Sequence, residues 1–261
     1  MNVVRRQPSQ GPGREPSALQ LALMKRDGYV VARGFFDTEH IDKIARWTEE
    51  LAIAPEISGR HWVYREASVT QPERRVIQRI ENFCPFHAGF SALIEHGALP
   101  RWTAALMGAP VVLFKDKINF KMPGGAGFQP HQDQQAGWSK YAPIFVTAMV
   151  SIDAATVENG CLEIAPRRLA EGLIGEEWTP LRQEQLALQS LPTEPGDAVF
   201  FDSFVPHGSK PNLTERARRV LYLTFNLAAH GDQRLRYFAD KHVAFPPDVD
   251  REANKSYVFR V

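Results

Sequence analysis

The stretch DAVFFDSFVPHGS, from Asp197 to Ser209, has the composition of a β-strand that ends in a turn. Branched and aromatic residues fill its first half, and Pro206 and Gly208 mark the turn. Similar runs lie around it between residues 108 and 228: VVLFKDKINFKM, IFVTAMVSID, CLEIAP, LQSLPTE and RRVLYLTFNLA. They are separated by the turn signals PGGAG, ENG, EPGD and PHGSKPN. The sequence therefore predicts a β core of roughly six strands in this region.

The region that precedes the β core has helical patterns. Residues 18–26 and 91–107 both have helical character, and the second segment is interrupted near Gly97 and Pro100. Another helix is predicted to begin near Asp37, because apolar residues recur after it at helical spacing: Ile41, Ile44, Ala45, Trp47 and Leu51.

Two earlier segments, Tyr29–Phe35 and Val76–Ile80, have strand character and can complete the sheets. Because helices do not alternate with the late strands, a Rossmann-type parallel sheet fits poorly. We expect a mainly β protein, a double-sheet jelly roll with flanking N-terminal helices.

The composition limits the function classes. The chain has 261 residues and a net charge of +1, which offers no basic surface for nucleic acid or an anionic membrane. Cys84 and Cys161 form no CxxC motif, so we expect a reducing cytoplasm. Residues 1–16 are predicted to be a disordered leader, and residues 17–261 a single domain. A homodimer is left open.

Three His-x-Asp triplets occur, at residues 40–42, 131–133 and 230–232. The first lies in a predicted helix, where side chains two positions apart point in different directions and cannot share a metal. In an extended segment, by contrast, residues i and i+2 face the same side. The second triplet follows a strand and a turn, so His131 and Asp133 become candidate metal ligands.

A third ligand is available in His207, where a strand runs into a turn. Two histidines and one carboxylate form the facial triad of non-haem iron(II) sites, which leaves three positions open on the metal. Arg218 begins the next strand and can grip a carboxylate through two parallel hydrogen bonds. Ser209 lies two residues beyond His207, whereas strand alternation sends Arg219 to the opposite face. Taken alone, a histidine at a turn is equally compatible with a structural role, and an arginine at a strand start favours a solvated salt bridge.

The motifs HQD, ENGCLEIAP, EPGDAVFF and HGSKPN, followed by a strand that opens with arginine, resemble the phytanoyl-CoA dioxygenase family. The resemblance runs from about Arg26 to Ala228. It implies a dioxygenase on a double-stranded β-helix that uses iron(II), 2-oxoglutarate and dioxygen. It also implies that His131, Asp133 and His207 bind the iron.

The same resemblance gives expectations for the co-substrate. Arg218 matches the arginine that anchors the distal carboxylate of 2-oxoglutarate, and Ser209 matches a serine that assists it. We place Lys117 with them as a cofactor-binding candidate. The chain departs from the family at residues 165–168, where Ala-Pro-Arg-Arg replaces the frequent Pro-Gly-Ser-His turn at the rim of the barrel.

Candidate substrate residues lie on both sides of the HQD motif. Strand alternation places four polar side chains on one face: Lys115, Lys117, Asn119 and Lys121. This face either lines the barrel and binds anions or is a solvent-facing edge. Trp138 and Tyr141 either bound the cavity, where an aromatic pair can hold a quaternary ammonium, or simply pack in the core. Gln134 is a further candidate contact, and the segment HWVYREAS is either a lid or an ordinary loop.

The run KINFKMPGGAGFQPHQDQQAGW and the tail YFADKHVAFPPDVDR resemble a bacterial branch of the family that hydroxylates small phosphonates. Its substrates include 2-aminoethylphosphonate and its N-trimethyl form. We therefore expect hydroxylation of a small anionic metabolite, and not halogenation, because Asp133 retains the metal-binding carboxylate. Two alternatives stay open: an oxygenase of a larger natural product or acyl-thioester, and a metal-binding jelly roll without turnover.

Overall fold

The computed structural model describes residues 15–167 and 172–257. Within these ranges the protein is mainly β, and every strand pairing is antiparallel. The strands are β1 Tyr29–Ala32, β2 Trp62–Ala67, β3 Arg75–Glu81, β4 Val111–Asn119, β5 Phe128–His131, β6 Val146–Ser151, β7 Leu162–Ile164, β8 Gln189–Leu191, β9 Ala198–Asp202, β10 His207–Ser209 and β11 Val220–Leu227. The α-helices are α1 Ala18–Asp27, α2 Thr38–Ile53, α3 Ala88–Glu95, α4 Ala98–Met107 and α5 Arg234–Ala244.

The strands form two sheets. One has seven strands in the order β1-β9-β6-β11-β4-β3-β2, and the other has four in the order β5-β10-β7-β8. The central strand β11 is buried on both faces: Leu221 and Leu223 belong to one apolar core with the helices, whereas Val220 and Tyr222 pack in a second with strands of the smaller sheet. The N-terminal helices α1 to α4 therefore cover one face of the larger sheet, and the smaller sheet packs on the other, whereas α5 joins a separate aromatic cluster. This confirms the predicted mainly β protein with N-terminal helices.

The first helices begin where capping side chains are available. Asp37 accepts a hydrogen bond from the backbone N–H of His40 at the start of α2 (2.9 Å), and Ser17 forms a capping box with Gln20 at the start of α1. These bonds satisfy backbone N–H groups that have no partner inside the helix.

The segment predicted as one interrupted helix over 91–107 is two helices, α3 and α4. Gly97 lies between them. Glycine is required at this position, because a Cβ there would lie 1.8 Å from the carbonyl oxygen of Leu93. Pro100 does not interrupt α4. It lies in the first turn, where the missing N–H costs no intrahelical hydrogen bond.

Three further predictions are corrected or fall outside the described residues. The first strand ends at Ala32, before Phe35, because the chain turns at Gly34, whose φ is 59°. The segment HWVYREAS is not a loop, since Trp62–Ala67 pairs with β3. The predicted leader falls almost entirely within residues 1–14, which are not described. In the described part of the chain, no helix combines the length and apolar character needed to cross a membrane.

Two short strands were missing from the sequence-based prediction. They are β5 and β10, which carry Pro130 and Gly208 and are only 4 and 3 residues long. Proline and glycine weaken the strand pattern, so both segments resembled turns. These two strands carry the candidate histidine ligands.

Candidate active site

The pairing of β5 with β10 brings the two candidate histidines together. His207 lies directly opposite His131 in the antiparallel register, and their ring centroids are 4.4 Å apart. Asp133 follows two residues after His131, at the start of a 3₁₀ turn over Asp133–Ala136. One ligand atom from each of the three side chains lies within 4.8 Å of the others. We refer to His131, Asp133 and His207 as the triad.

Backbone carbonyls fix the orientation of both imidazoles. Nδ1 of His131 lies 2.7 Å from the carbonyl oxygen of Gln129, and Nδ1 of His207 lies 3.0 Å from that of Val205. A carbonyl can only accept, so each Nδ1 carries the proton and each Nε2 keeps its lone pair. This is the arrangement in which a histidine coordinates a metal through Nε2.

The charge states within the triad also suit a metal. Burial, together with the neighbouring His207, lowers the pKa of His131 to about 3. Burial opposes ionisation of Asp133, but the two histidines and nearby lysines outweigh it and hold the pKa of this carboxyl below its ordinary value. Neutral imidazole and ionised carboxylate are the forms that bind a cation. The donor set therefore fits the two-histidine, one-carboxylate site of iron(II).

The side chain of Gln132 holds the turn that positions Asp133. It is buried and donates to the carbonyl oxygens of Phe204 (2.7 Å) and Gly172 (2.8 Å). Gln134, predicted as a substrate contact, is not among the side chains that line the cavity. The 3₁₀ turn directs its amide inward, where it donates to Ser139 Oγ and to the carbonyl oxygen of Ala142.

A cavity of ≈ 1160 Å³ lies beside the triad. Lys115, Lys117 and Asn119 on β4 all line it, as strand alternation requires. Burial and the neighbouring Lys115 lower the pKa of Lys117 to about 7. Lys121, which was placed on the same face, lies beyond the end of β4 and outside the lining. Its Nζ donates instead to Ser209 Oγ (2.7 Å) and to the carbonyl oxygen of Gly160 (3.2 Å).

Trp138 and Tyr141 both line the cavity and are nearly buried. Their rings already face cations of this chain. Lys115 Nζ lies 5.6 Å from the ring centre of Trp138, and Lys140 Nζ lies 4.9 Å from that of Tyr141. The two rings therefore pack with lysines, and the suggestion that they hold a substrate ammonium is not supported.

Ser209 and Arg218 are the candidate contacts of the 2-oxoglutarate carboxylate. Ser209 lines the cavity two residues after His207. Arg218 is buried behind the lining, and its Nε has no hydrogen-bond partner among the described residues. Burial raises the pKa of the cavity residue Tyr222, and the charge of Arg218 opposes this rise. Arg219 points the opposite way and binds Asp153, with Nε and Oδ2 2.8 Å apart.

Several charged residues of the cavity were missed in the sequence, and Arg79, Glu81 and Lys241 are among them. Arg79 and Glu81 alternate on β3 with the buried Ile80, so period-two charge in an apolar strand was an available signal. Lys241 comes from α5, and no local pattern could place that helix against the cavity.

The geometry defines a class of protein: two antiparallel sheets that pack against each other, with a two-histidine, one-carboxylate metal centre beside a polar cavity. The chain belongs to the phytanoyl-CoA dioxygenase family, whose model matches residues 24–220. The predicted resemblance and enzyme class, a dioxygenase that uses iron(II) and 2-oxoglutarate, are thereby confirmed.

Relatives and solved structures agree with this assignment. The 2-aminoethylphosphonate dioxygenase of the uncultured bacterium HF130_AEPn_1 is 39% identical over 242 residues, which cover 91% of this chain and 92% of that protein. The methylphosphonate hydroxylase of Gimesia maris is 36% identical and is covered to 86%, with 87% of this chain aligned. The crystal structure of EctD from S. alaskensis with 2-oxoglutarate and 5-hydroxyectoine superposes with a TM-score of 0.69 at 20% identity, covering 86% of this chain and 80% of that chain.

Proposed function

We propose that this enzyme hydroxylates a C–H bond of a small phosphonate, with 2-aminoethylphosphonate and methylphosphonate as the first candidates. The observation that carries the proposal is a metal triad beside a cavity whose β4 wall presents Lys115, Lys117 and Asn119. Such a wall suits a small anion better than the acyl chain of a thioester. The two relatives named for phosphonates support the substrate class.

The triad residues would hold iron(II) through two Nε2 atoms and one carboxylate oxygen, which leaves three positions for 2-oxoglutarate and dioxygen. Bound iron, 2-oxoglutarate and dioxygen supply the oxidising power, and the balanced reaction gives hydroxylated substrate, succinate and carbon dioxide. Arg218 and Ser209 are proposed to bind the distal carboxylate of 2-oxoglutarate. Two observations support these roles: Arg218 Nε has no hydrogen-bond partner among the described residues, and Lys121 contacts Ser209. Lys117 is proposed as a further cofactor contact.

The remaining side chains of the cavity restrict access. Tyr237 and Phe245 from the C-terminal region line it together with Trp138 and Tyr141. An aromatic wall excludes water, which strengthens the electrostatic contacts inside. Asn119 is proposed to bind substrate, since its buried Oδ1 has no partner among the described residues.

We also propose that residues 17–261 act as one unit, with the two sheets arranged as a double-stranded β-helix. Cys84 and Cys161 are buried and unpaired, which supports a reducing compartment such as the cytoplasm. The proposed substrate is a free metabolite, so neither nucleic acid nor a membrane is required.

The first test is anaerobic. Iron(II) and 2-oxoglutarate are added to the purified protein, and the visible charge-transfer band of the chelate is recorded. We expect the band in the wild type, its loss in His131→Ala and its weakening in Arg218→Ala. Arg219→Ala is the matched control, because the neighbouring side chain points away from the site, and it should retain the band.

The second stage adds oxygen and measures succinate. Release that depends on 2-aminoethylphosphonate or methylphosphonate supports the proposed substrate class. If folded protein shows no band, the metal and co-substrate assignments are wrong. A band without succinate release on any phosphonate would reject the substrate class alone.

A further inference from the structure

Four charged side chains form a buried group in the cavity wall built by β3, β4 and α5. Glu81 lies at its centre, with one carboxylate oxygen 2.9 Å from Arg79 Nε and 3.7 Å from Lys115 Nζ. Its other oxygen accepts a hydrogen bond from Lys241 Nζ. The side chains of Arg79 and Glu81 are 1% and 0% exposed, and those of the two lysines 11% and 10%. We call these four residues the Glu81 cluster.

The Glu81 cluster has more positive than negative charge. It contains three cationic side chains and one carboxylate, an excess of two positive charges when all are ionised. Other carboxylates nearby are already engaged. Asp133 belongs to the triad, Asp240 binds Lys140 (3.0 Å) and Asp116 binds Arg234 (2.5 Å). The cluster therefore has an excess of positive charge that an anion would neutralise.

Burial makes this excess of positive charge unfavourable. It lowers the pKa of Lys241 well below the ordinary lysine value, even though Glu81 acts in the opposite direction. Burial also opposes ionisation of Glu81, yet its three cationic neighbours outweigh that effect and lower the pKa of the carboxyl. Buried charges of one sign repel each other, so a ligand anion that enters gains more there than at an exposed lysine.

Aromatic rings hold the cations of the cluster in place. The guanidinium of Arg79 lies 4.5 Å from the ring centre of Tyr64, and Lys115 Nζ lies 5.6 Å from those of Trp138 and Tyr237. Lys241 Nζ lies 5.4 Å from the Tyr64 ring. These rings therefore already contact the protein's own cations. The wall is built to receive the anionic end of a substrate.

We propose that the Glu81 cluster is the subsite for the phosphonate group, which it binds as a dianion. Arg79, Lys115 and Lys241 donate to the phosphonate oxygens, and Glu81 holds the donors in position. This inference rests on the proposed function and adds the residues that determine specificity. A phosphonate has three oxygens and two charges for three donors, whereas a carboxylate has two oxygens and one charge. The subsite therefore prefers a phosphonate over the carboxylate of the same carbon chain.

The position along β4 fits a short substrate. Lys117 pairs with Glu81 in the register of β3 and β4. Burial and the two histidines have the largest effects on the pKa of Asp133. The charges of Lys117 and Lys115 also lower it. The cluster and the triad therefore line the same cavity, within electrostatic range of each other. A phosphonate held by the cluster directs its alkyl carbon toward the triad.

The test is calorimetric titration of methylphosphonate, 2-aminoethylphosphonate, ethylphosphonate and its carboxylate counterpart propionate into protein loaded with iron(II) and 2-oxoglutarate without oxygen. Lys115→Met and Lys241→Met should weaken phosphonate binding about 10- to 100-fold, because each removes one charge-assisted hydrogen bond. Lys241→Arg should restore part of the affinity. Lys43→Met is the control, since Lys43 binds only Glu39 on the exposed face of α2 (2.7 Å). The chelate band of each variant reports an intact fold and co-substrate site.

The outcomes separate this inference from the proposed function. Weakened phosphonate binding in both methionine variants, with the band intact and propionate bound poorly by the wild type, supports the subsite. Supporting binding data without any succinate release would retain the subsite and reject the proposed reaction. Wild-type turnover of phosphonates with unchanged affinity in both variants would overturn the subsite alone. If the wild type binds no phosphonate, both are wrong.

Discussion

At the scale of single residues, Lys121 is a lysine whose amino group is buried. It is 2% exposed and donates to Ser209, yet burial, followed by the charge of Arg218, lowers its pKa to about 6. A lysine is well suited to such a place, because loss of one proton makes it neutral and leaves it able to donate. Because the pKa of Lys121 is lowered in the folded protein, the free energy of unfolding depends on pH.

This dependence has a defined sign. Between about pH 6 and the ordinary lysine pKa, the unfolded chain binds a proton at Lys121 that the folded chain does not. The free energy of unfolding should therefore rise with pH over this range, by at most about 1.4 kcal/mol per pH unit for one group. Lys117, whose pKa burial and Lys115 lower to about 7, acts in the same direction. We expect Lys121→Met to have a smaller rise, measured by urea unfolding of the apoprotein at pH 7, 8 and 9.

Lys43→Met provides the comparison for Lys121→Met. Its side chain is on the surface of α2, so its slope should equal that of the wild type. An identical slope in Lys121→Met and wild type would show that Lys121 stays protonated in the folded protein.

At the scale of elements, the site depends on how neighbouring segments meet. The β5–β10 register aligns the two histidines, and the junction at Gly97 sets the path of α3 and α4 over the larger sheet. Gly97 has a φ of −77°, so a side chain there is excluded by space and not by its backbone conformation.

Gly97→Ala should lower the free energy of unfolding by about 1–3 kcal/mol, because the added methyl group overlaps the carbonyl oxygen of Leu93 and must be accommodated by strain. Gly108→Ala is the matched control at the end of α4. It has open space around the Cβ position but a φ of 75°, so only the left-handed conformation is penalised, by about 1 kcal/mol. Urea denaturation compares the two. Equal losses would contradict the crowding at Gly97.

The sequence predicted the elements and residues that follow local rules. His131 and Asp133 were found because side chains two apart share a face, and α2 was found from its cap and its periodicity. Gln134 was predicted to face the cavity, but a 3₁₀ turn directs its amide away from it. No sequence pattern indicated this turn. Lys241 was missed because it is separated from Glu81 by 160 positions in the sequence, and their contact depends on how α5 packs.

For the whole molecule, the site joins parts that are distant in the chain. The two histidines belong to the four-stranded sheet, the cationic wall belongs to the seven-stranded sheet, and α5 supplies Lys241. Ligands that bind both sheets stabilise the folded state by mass action, since the unfolded chain has no such site.

Iron(II) with 2-oxoglutarate at about 100 times its dissociation constant should add roughly 2.7 kcal/mol to the free energy of unfolding. For a chain of this size, that corresponds to a rise of about 5–10 °C in the melting temperature. Differential scanning calorimetry without oxygen measures it. A chelator should abolish the rise, and His131→Ala should show none. An equal rise in His131→Ala would place the ligands elsewhere.

The division of the cavity between two sheets has an evolutionary consequence. The metal triad and the proposed substrate subsite lie on separate modules of the fold, since β5 and β10 carry the histidines while β3, β4 and α5 carry the Glu81 cluster. Substitutions in the second module can redirect the enzyme to new molecules while the first keeps its chemistry. Divergence among relatives with different substrates should therefore concentrate on β3, β4 and α5.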